Sequence, residues 1–181
     1  MKSIILLLLF SISISASAED VDEIEKILNS MTVEEKVGQI MMVEISHISP
    51  QEVREYSIGA ILNGGGSFPY GKKNHDVEDW RKLADEYFLA SKSSNLGIPV
   101  IWGTDAVHGH NNLKGAVLFP HNIGLGATRN ETLIEDISSI VAKEVYLSGL
   151  DLTFAPAVSV PRNDLWGRTF EGFSEDPKLV A

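Results

Sequence analysis

The sequence contains no cysteine. Disulfides, thiolate metal centres and a thiol nucleophile are thereby excluded. Proline is sparse, at 7 in 181 residues, and no linker, internal repeat or low-complexity tract divides the chain. Positive charge is in deficit, with 15 Lys and Arg against 25 Asp and Glu for a formal net charge of −10. Binders of DNA or RNA carry a basic patch, so nucleic acid is not an expected partner. Long apolar runs are also missing, with one exception at the N-terminus. What remains is 44 % apolar and 22 % charged. That mixture belongs to globular chains long enough for one domain with a sizeable core.

The exception reads as a targeting segment. Met1-Lys2 is a short basic start, residues 4–10 are continuously apolar, and Ala16-Ser17-Ala18 fits a small-residue cleavage site. The run is shorter than the roughly 20 residues of a membrane span. The expected organisation is therefore a signal peptide over 1–18 and one domain over 19–181. The product would be exported, periplasmic or secreted, and free of the membrane once cleaved.

Along the rest of the chain, strand and helix patterns alternate. Val21, Ile24, Ile27 and Leu28 recur at helical spacing. Thr32 and Glu35 have the spacing of a capping box, opening a helix with Val37, Ile40 and Met41 on its apolar face and a signal that fades near Val43. Residues 58–62 form a short apolar run stopped by Gly64-Gly65-Gly66, which predicts a buried strand. Residues 77–94 predict an amphipathic helix with Trp80, Leu83, Ala84, Tyr87 and Phe88 inward. A strand is expected over 99–102, followed by a loop to about 126. Asn130 caps a helix to about 148 carrying Leu133, Ile137, Ile140, Val141 and Val145, with Gly149 just past its end. A third strand is expected over 152–158, and Asp176-Pro177 reads as a helix start. This is a run of βα units with parallel strands. A doubly wound sheet and a (β/α)8 barrel both satisfy it. Without residues 1–18 the chain is shorter than the roughly 200 residues a barrel needs, so it is expected to be the front part of a longer protein.

Polar clusters follow each strand, on the face where parallel α/β sheets carry their chemistry. Asp105, just past the second strand, is placed to accept hydrogen bonds from paired sugar hydroxyls; a loop cap or salt bridge is its structural alternative. Arg168 lies among Trp166, Phe170 and Phe173, where a guanidinium grips hydroxyls or a carboxylate, or pairs with Asp164, Glu171 or Glu175. His108 and His110 form H-x-H, which with Asp105 gives the alternative of a metal-dependent hydrolase; otherwise they are hydrogen-bonded loop residues shaping a site. The Gly64-Gly65-Gly66 loop runs into Phe68-Pro69-Tyr70-Gly71 and opens no helix, against a phosphate loop. It reads as a tight loop where the backbone must approach something closely. His47, His75 and Met41-Met42 read as surface or packing residues.

Taken in order, these blocks resemble family 3 glycoside hydrolases. The stretches that carry the likeness are Met31-Thr32-Val33-Glu34-Glu35-Lys36-Val37-Gly38-Gln39, Gly59-Ala60-Ile61-Leu62-Asn63-Gly64-Gly65-Gly66, and Gly103-Thr104-Asp105-Ala106-Val107-His108-Gly109-His110. Phe119-Pro120-His121-Asn122 and Trp166-Gly167-Arg168-Thr169-Phe170-Glu171-Gly172-Phe173-Ser174-Glu175-Asp176-Pro177 complete it. The wording around Asp105 is similar to the exported β-glucosidase and exo-β-glucanase branch.

The resemblance implies an α/β fold, the N-terminal portion of a (β/α)8 barrel that is incomplete in this chain. It also implies retaining hydrolysis of terminal β-linked glucose from β-glucosides or oligosaccharides, with no metal or organic cofactor. By motif match, Asp105 and Arg168 would contact substrate, with Glu171, His108 and His110 supporting them from behind. The family's Lys-His pair, nucleophilic Asp and acid/base Glu fall beyond the last matching block, so no catalytic residue is expected up to Ala181. The other alternative is a non-catalytic carbohydrate-binding remnant.

Overall fold

A computed structural model of the chain describes residues 18–181. Residues 1–17 of the expected signal peptide lie outside the described residues, and Ala18 is the first residue of α1 (Ala18–Ser30). Residues up to Thr32 and residues from Val33 onward are two separate units. In the first, Ile24, Ile27 and Leu28 of the expected stripe are exposed.

The second unit is an α/β layer built on four parallel strands in the order β1-β2-β3-β4: Met42–Glu44, Ala60–Asn63, Ile101–Thr104 and Leu152–Thr153. Register is continuous across the sheet, with Glu44 beside Leu62, Leu62 beside Gly103, and Gly103 beside Leu152. Each strand is added next to its predecessor. A doubly wound sheet reverses direction at a switch point, whereas this sequential winding is that of a barrel wall.

Helices α2 (Val33–Gln39), α3 (Pro50–Glu55), α4 (Val77–Lys92), α5 (Asn122–Ala127), α6 (Glu131–Leu147) and α7 (Pro177–Val180) fill the connections. The core lies between the sheet and α4. Trp102 on β3 meets Trp80 and Tyr87 of α4 at ring-centroid distances of 5.8 and 5.6 Å. Trp80, Trp102, Ile61 and Val53 are fully or almost fully buried. Each buried indole removes about 150–250 Å² from water, on the order of 4 kcal/mol at roughly 25 cal/mol per Å². A short polar chain runs through this face: Trp102 Nε1 donates to Asn63 Oδ1 (2.9 Å), and Asn63 Nδ2 donates to Thr104 Oγ1 (3.0 Å), while the buried Trp80 Nε1 has no acceptor among the described residues. Strand residues alternate in direction, and the opposite row, with Met42, Ile101, Leu152 and Phe154, is exposed.

Several expectations need correction. Among the described residues there are four strands rather than three. β1 is only three residues long, and Met41-Met42 continues the helical spacing of α2, which hid it. The expected α2 face is not inward: Val37, Ile40 and Met41 are exposed, and Gly38 is the buried residue. The helix is held by its backbone instead. A Cβ on Gly38 would lie 2.1 Å from the Tyr56 carbonyl oxygen, and Gln39 Nε2 donates to the Ser57 carbonyl at 2.7 Å.

On α4, Trp80, Leu83 and Tyr87 are buried but Phe88 is half exposed; on α6, Ile137, Val141 and Val145 are buried while Leu133 and Ile140 are outside. Both helices bury a narrower stripe than their apolar content suggests, because each covers a single sheet face. β4 ends at Thr153 rather than Val158, and Val158 is exposed. The caps at Asn130, Asp176 and Gly149 stand as read. Asn130 accepts from Leu133 N–H (3.1 Å), Asp176 accepts from Lys178 N–H (2.9 Å), and Gly149 adopts φ +86° after α6. Among the described residues no helix is long and apolar enough to cross a membrane.

Candidate functional site

Asp105 directly follows β3, which runs two residues further than the 99–102 strand expected. The extension is possible because position 103 is glycine: a Cβ there would sit 2.8 Å from the Phe154 ring. Ile101, Gly103 and Asp105 alternate onto one face, so the carboxylate stands at the C-terminal mouth of the sheet, on the side away from α4. The Asp105 carbonyl accepts from Thr153 Oγ1 at 3.1 Å. Ala106 then turns the chain with φ +40° and is buried.

Asp105 shares one open cleft with Val107, His108, Asn111, His121, Arg168, Phe170 and Glu171. Two long segments converge there, one following β3 and one following β4. Phe170 and Glu171 sit on a short 3-10 turn, Thr169–Glu171, which Arg168 precedes. Arg168 is bidentate on Glu171: Nε donates to Oε1 (2.9 Å) and one Nη to Oε2 (2.6 Å). The Arg168 hydrogen bonds hold the Glu171 carboxyl below the usual carboxylate range against a desolvation that opposes them, with the Arg168 and His121 charges adding to the effect. The same pairing raises the Arg168 guanidinium, and Asp105 adds to it through space. A guanidinium has five donors. Two are used on Glu171, and the side chain is 67 % exposed, leaving the others available to a ligand beside Asp105.

The turn is backed by α5. Asn122 Nδ2 donates to the Glu171 carbonyl at 2.8 Å. Gly126 is equally constrained, because a Cβ there would lie 1.8 Å from the Phe173 carbonyl oxygen. This helix occupies the end of a stretch expected to be loop.

The two histidines of H-x-H part company. His108 Nδ1 bonds the Phe119 carbonyl at 2.6 Å, which fixes a proton on that nitrogen, and its ring lies 4.0 Å from that of His121. Phe170 closes the stack edge-on at 4.8 Å. His110 points the other way, into the core. It is 0 % exposed, packs edge-on against Trp80 at 5.0 Å, and meets Ser148 Oγ through Nε2 at 3.2 Å. Burial pushes its pKa down to about 4, so it is a neutral imidazole at ordinary pH. Gly109 separates them with φ +124°, where a Cβ would lie 2.2 Å from the Val117 carbonyl oxygen. The metal alternative required His108 and His110 on one ion, and the fold sends them to opposite sides. Among the described residues no three His, Asp or Glu side chains are grouped to hold a metal.

His47 and His75 are outside the cleft, beside Glu44 (3.4 Å) and Asp79 (2.6 Å) respectively. Residue-type reasoning did not single out Asn111 or His121 as part of the cleft. The signal for Asn111 was its place in the polar run after the second strand, and that for His121 its place in the block around Phe119.

Comparison with known proteins fits this arrangement. Residues 32–181 match the model of the glycosyl hydrolase family 3 N-terminal domain. The chain is 30 % identical over 173 residues to a lysosomal β-glucosidase of Dictyostelium discoideum, covering 87 % of this chain and 21 % of that protein. It is 31 % identical over 160 residues to a periplasmic β-glucosidase of Salmonella typhimurium, covering 86 % and 19 % respectively. The crystal structure of an exo-1,3/1,4-β-glucanase from a Pseudoalteromonas species superposes with a TM-score of 0.81 at 52 % identity, over 87 % of this chain and 20 % of that one. The chain thus spans about one fifth of the length of each of these relatives.

Proposed function

The chain belongs to glycosyl hydrolase family 3, as a match to its N-terminal domain, and from that premise we propose that it supplies the sugar-binding half of a β-glucosidase-type active site. The observation that carries this reading is the cleft at the strand ends, where Asp105 faces the Arg168–Glu171 pair. Asp105 accepts hydrogen bonds from two neighbouring hydroxyls of a terminal glucose. Arg168 donates to the same sugar, and Glu171 keeps the guanidinium in place by the bidentate bond. His108 and His121, stacked beside them, form a wall against which a sugar ring packs. A rigid, prearranged cleft of this kind lowers the barrier mainly by positioning.

The complete protein would cleave terminal β-linked glucose from oligosaccharides or β-glucosides with retention at the anomeric carbon. In such reactions one carboxylate attacks the anomeric carbon as the aglycone leaves with a proton from a second carboxyl. Water then releases the sugar, with the second group acting as base. Neither role is assigned to Glu171, whose carboxylate is occupied by Arg168. The leader-like segment around Met1-Lys2 and Ala16-Ser17-Ala18 supports export to a periplasm or the medium. The complete gene product is expected to hydrolyse an aryl β-D-glucoside, releasing β-glucose first by NMR, and to leave the α-anomer untouched. Release of α-glucose first would overturn the retaining mechanism, and no hydrolysis of either anomer would overturn the function.

A further inference from the structure

The glycine run after β2 is more permissive than the chain requires. Gly64 to Ser67 is a tight turn closed by a Ser67 N–H bond to the Gly64 carbonyl at 3.1 Å. Gly64, Gly65 and Gly66 all lie outside the left-handed region where glycine is needed. A Cβ on Gly64 or Gly66 would meet nothing within 4 Å, and one on Gly65 would make ordinary contact, 3.7 Å, with Asn111 Nδ2. This contrasts with Gly38, Gly109 and Gly126, each of which is excluded from carrying a side chain by a nearby carbonyl. Three consecutive glycines that neither conformation nor packing demands raise the entropy lost on ordering.

The turn is nevertheless rigidly held. Asn112 Nδ2 donates to both the Gly64 carbonyl (2.8 Å) and the Ser67 carbonyl (2.6 Å), and Asn112 is itself buried. The Gly65 and Gly66 N–H groups find no acceptor among the described residues, and both residues are exposed. The register completes the picture. Asn63 pairs with Thr104, so Gly64 and Asp105 leave neighbouring strands side by side, about 4.8 Å apart in the sheet direction. Asn111 lines the cleft, and its Nδ2 would stand 3.7 Å from a Cβ placed on Gly65.

We propose that the Gly64–Gly66 turn is a further substrate contact, a bare and rigid peptide edge against which the sugar bound by Asp105 rests, its Gly65 and Gly66 N–H groups donating to sugar hydroxyls. The glycines are kept for the ligand's approach rather than for the fold. This rests on the glucosidase reading and names the residues that define the sugar's second edge. A side chain at Gly66 would then be harmless to folding and harmful to binding, the opposite of what substituting Gly38, Gly109 or Gly126 does.

The test is Gly66→Ala and Gly66→Val in the complete gene product, with an aryl β-D-glucoside as substrate and D-glucose as competing product. Thermal midpoints of both variants should equal or exceed that of the unsubstituted protein. KM should rise about tenfold for Ala and further for Val, as expected when a bound ring is displaced by part of an ångström, and the glucose inhibition constant should rise in parallel. Unchanged KM and inhibition constants would overturn the inference while leaving the glucosidase reading intact. A lowered thermal midpoint would overturn it too, because the space above Gly66 would then be needed by the chain. An unsubstituted protein that fails to hydrolyse the glucoside would remove the reading beneath both.

Discussion

Asp105→Asn in the complete gene product lowers kcat/KM for an aryl β-D-glucoside about 10³-fold and leaves the thermal midpoint within a degree or two. The asymmetry follows from what the carboxylate touches. Its backbone carbonyl is used by Thr153, but among the described residues its two carboxylate oxygens make no hydrogen bond, so the fold does not depend on them. Two charge-assisted bonds to sugar hydroxyls are each worth about 1.5–3 kcal/mol, and their joint loss corresponds to roughly three decades in rate. Asparagine keeps the shape, but it offers one acceptor and presents a donor where the second acceptor stood. Arg168 would also lose a neighbouring negative charge that adds to the stabilisation of its guanidinium. Steady-state kinetics and thermal unfolding of the two proteins check this together. A change of less than threefold in kcat/KM would remove Asp105 from the sugar site, and a large fall in midpoint would make it structural.

Gly126→Ala is the second large effect, and it acts through packing. In an isolated helix alanine is better than glycine by about 1 kcal/mol, so propensity alone makes this substitution stabilising. Here the new Cβ would lie 1.8 Å from the Phe173 carbonyl oxygen. Backbone cannot swing aside as a long side chain can. Overpacking costs about 1–3 kcal/mol and sometimes more, so strain outweighs propensity and the variant is less stable by about 2 kcal/mol. The displaced segment follows the turn that carries Arg168 and Glu171, and Asn122 on the same helix holds the Glu171 carbonyl. A fall of at least tenfold in kcat/KM is therefore expected alongside the lowered midpoint. A variant as stable and as active as the parent would show that α5 does not set the position of that turn.

Much of this organisation was legible in the residues. Strand-end placement singled out Asp105 and Arg168, which the structure brings to one cleft, and the caps at Asn130, Asp176 and Gly149 fixed element ends correctly, because each depends on local chemistry alone. β1 was not legible, since three residues are too few to show a period of two and Met41-Met42 prolongs a helical one. α3 was missed although Ser49 and Glu52 carry the capping-box spacing that the structure forms; the apolar content of its six residues is too low for a stripe. The inward faces of α2, α4 and α6 were drawn too wide, because hydrophobic spacing reports which side a helix favours and not how much of it a one-sided layer covers. The divergence of His108 and His110 was hidden by Gly109, whose φ of +124° no pattern of residue types specifies. The role of His121 beside His108 is set by contacts between segments 13 positions apart, which spacing cannot reach.

The most direct measurement is the crystal structure of the complete gene product with D-glucose bound. The sugar is predicted to lie in the cleft of Asp105, Arg168 and His121, with the Asp105 carboxylate accepting from two adjacent hydroxyls and the ring edge against Gly65 and Gly66. Glucose bound elsewhere, or in that cleft with Asp105 turned away from it, would contradict the assignment of this strand-end cleft as the sugar site.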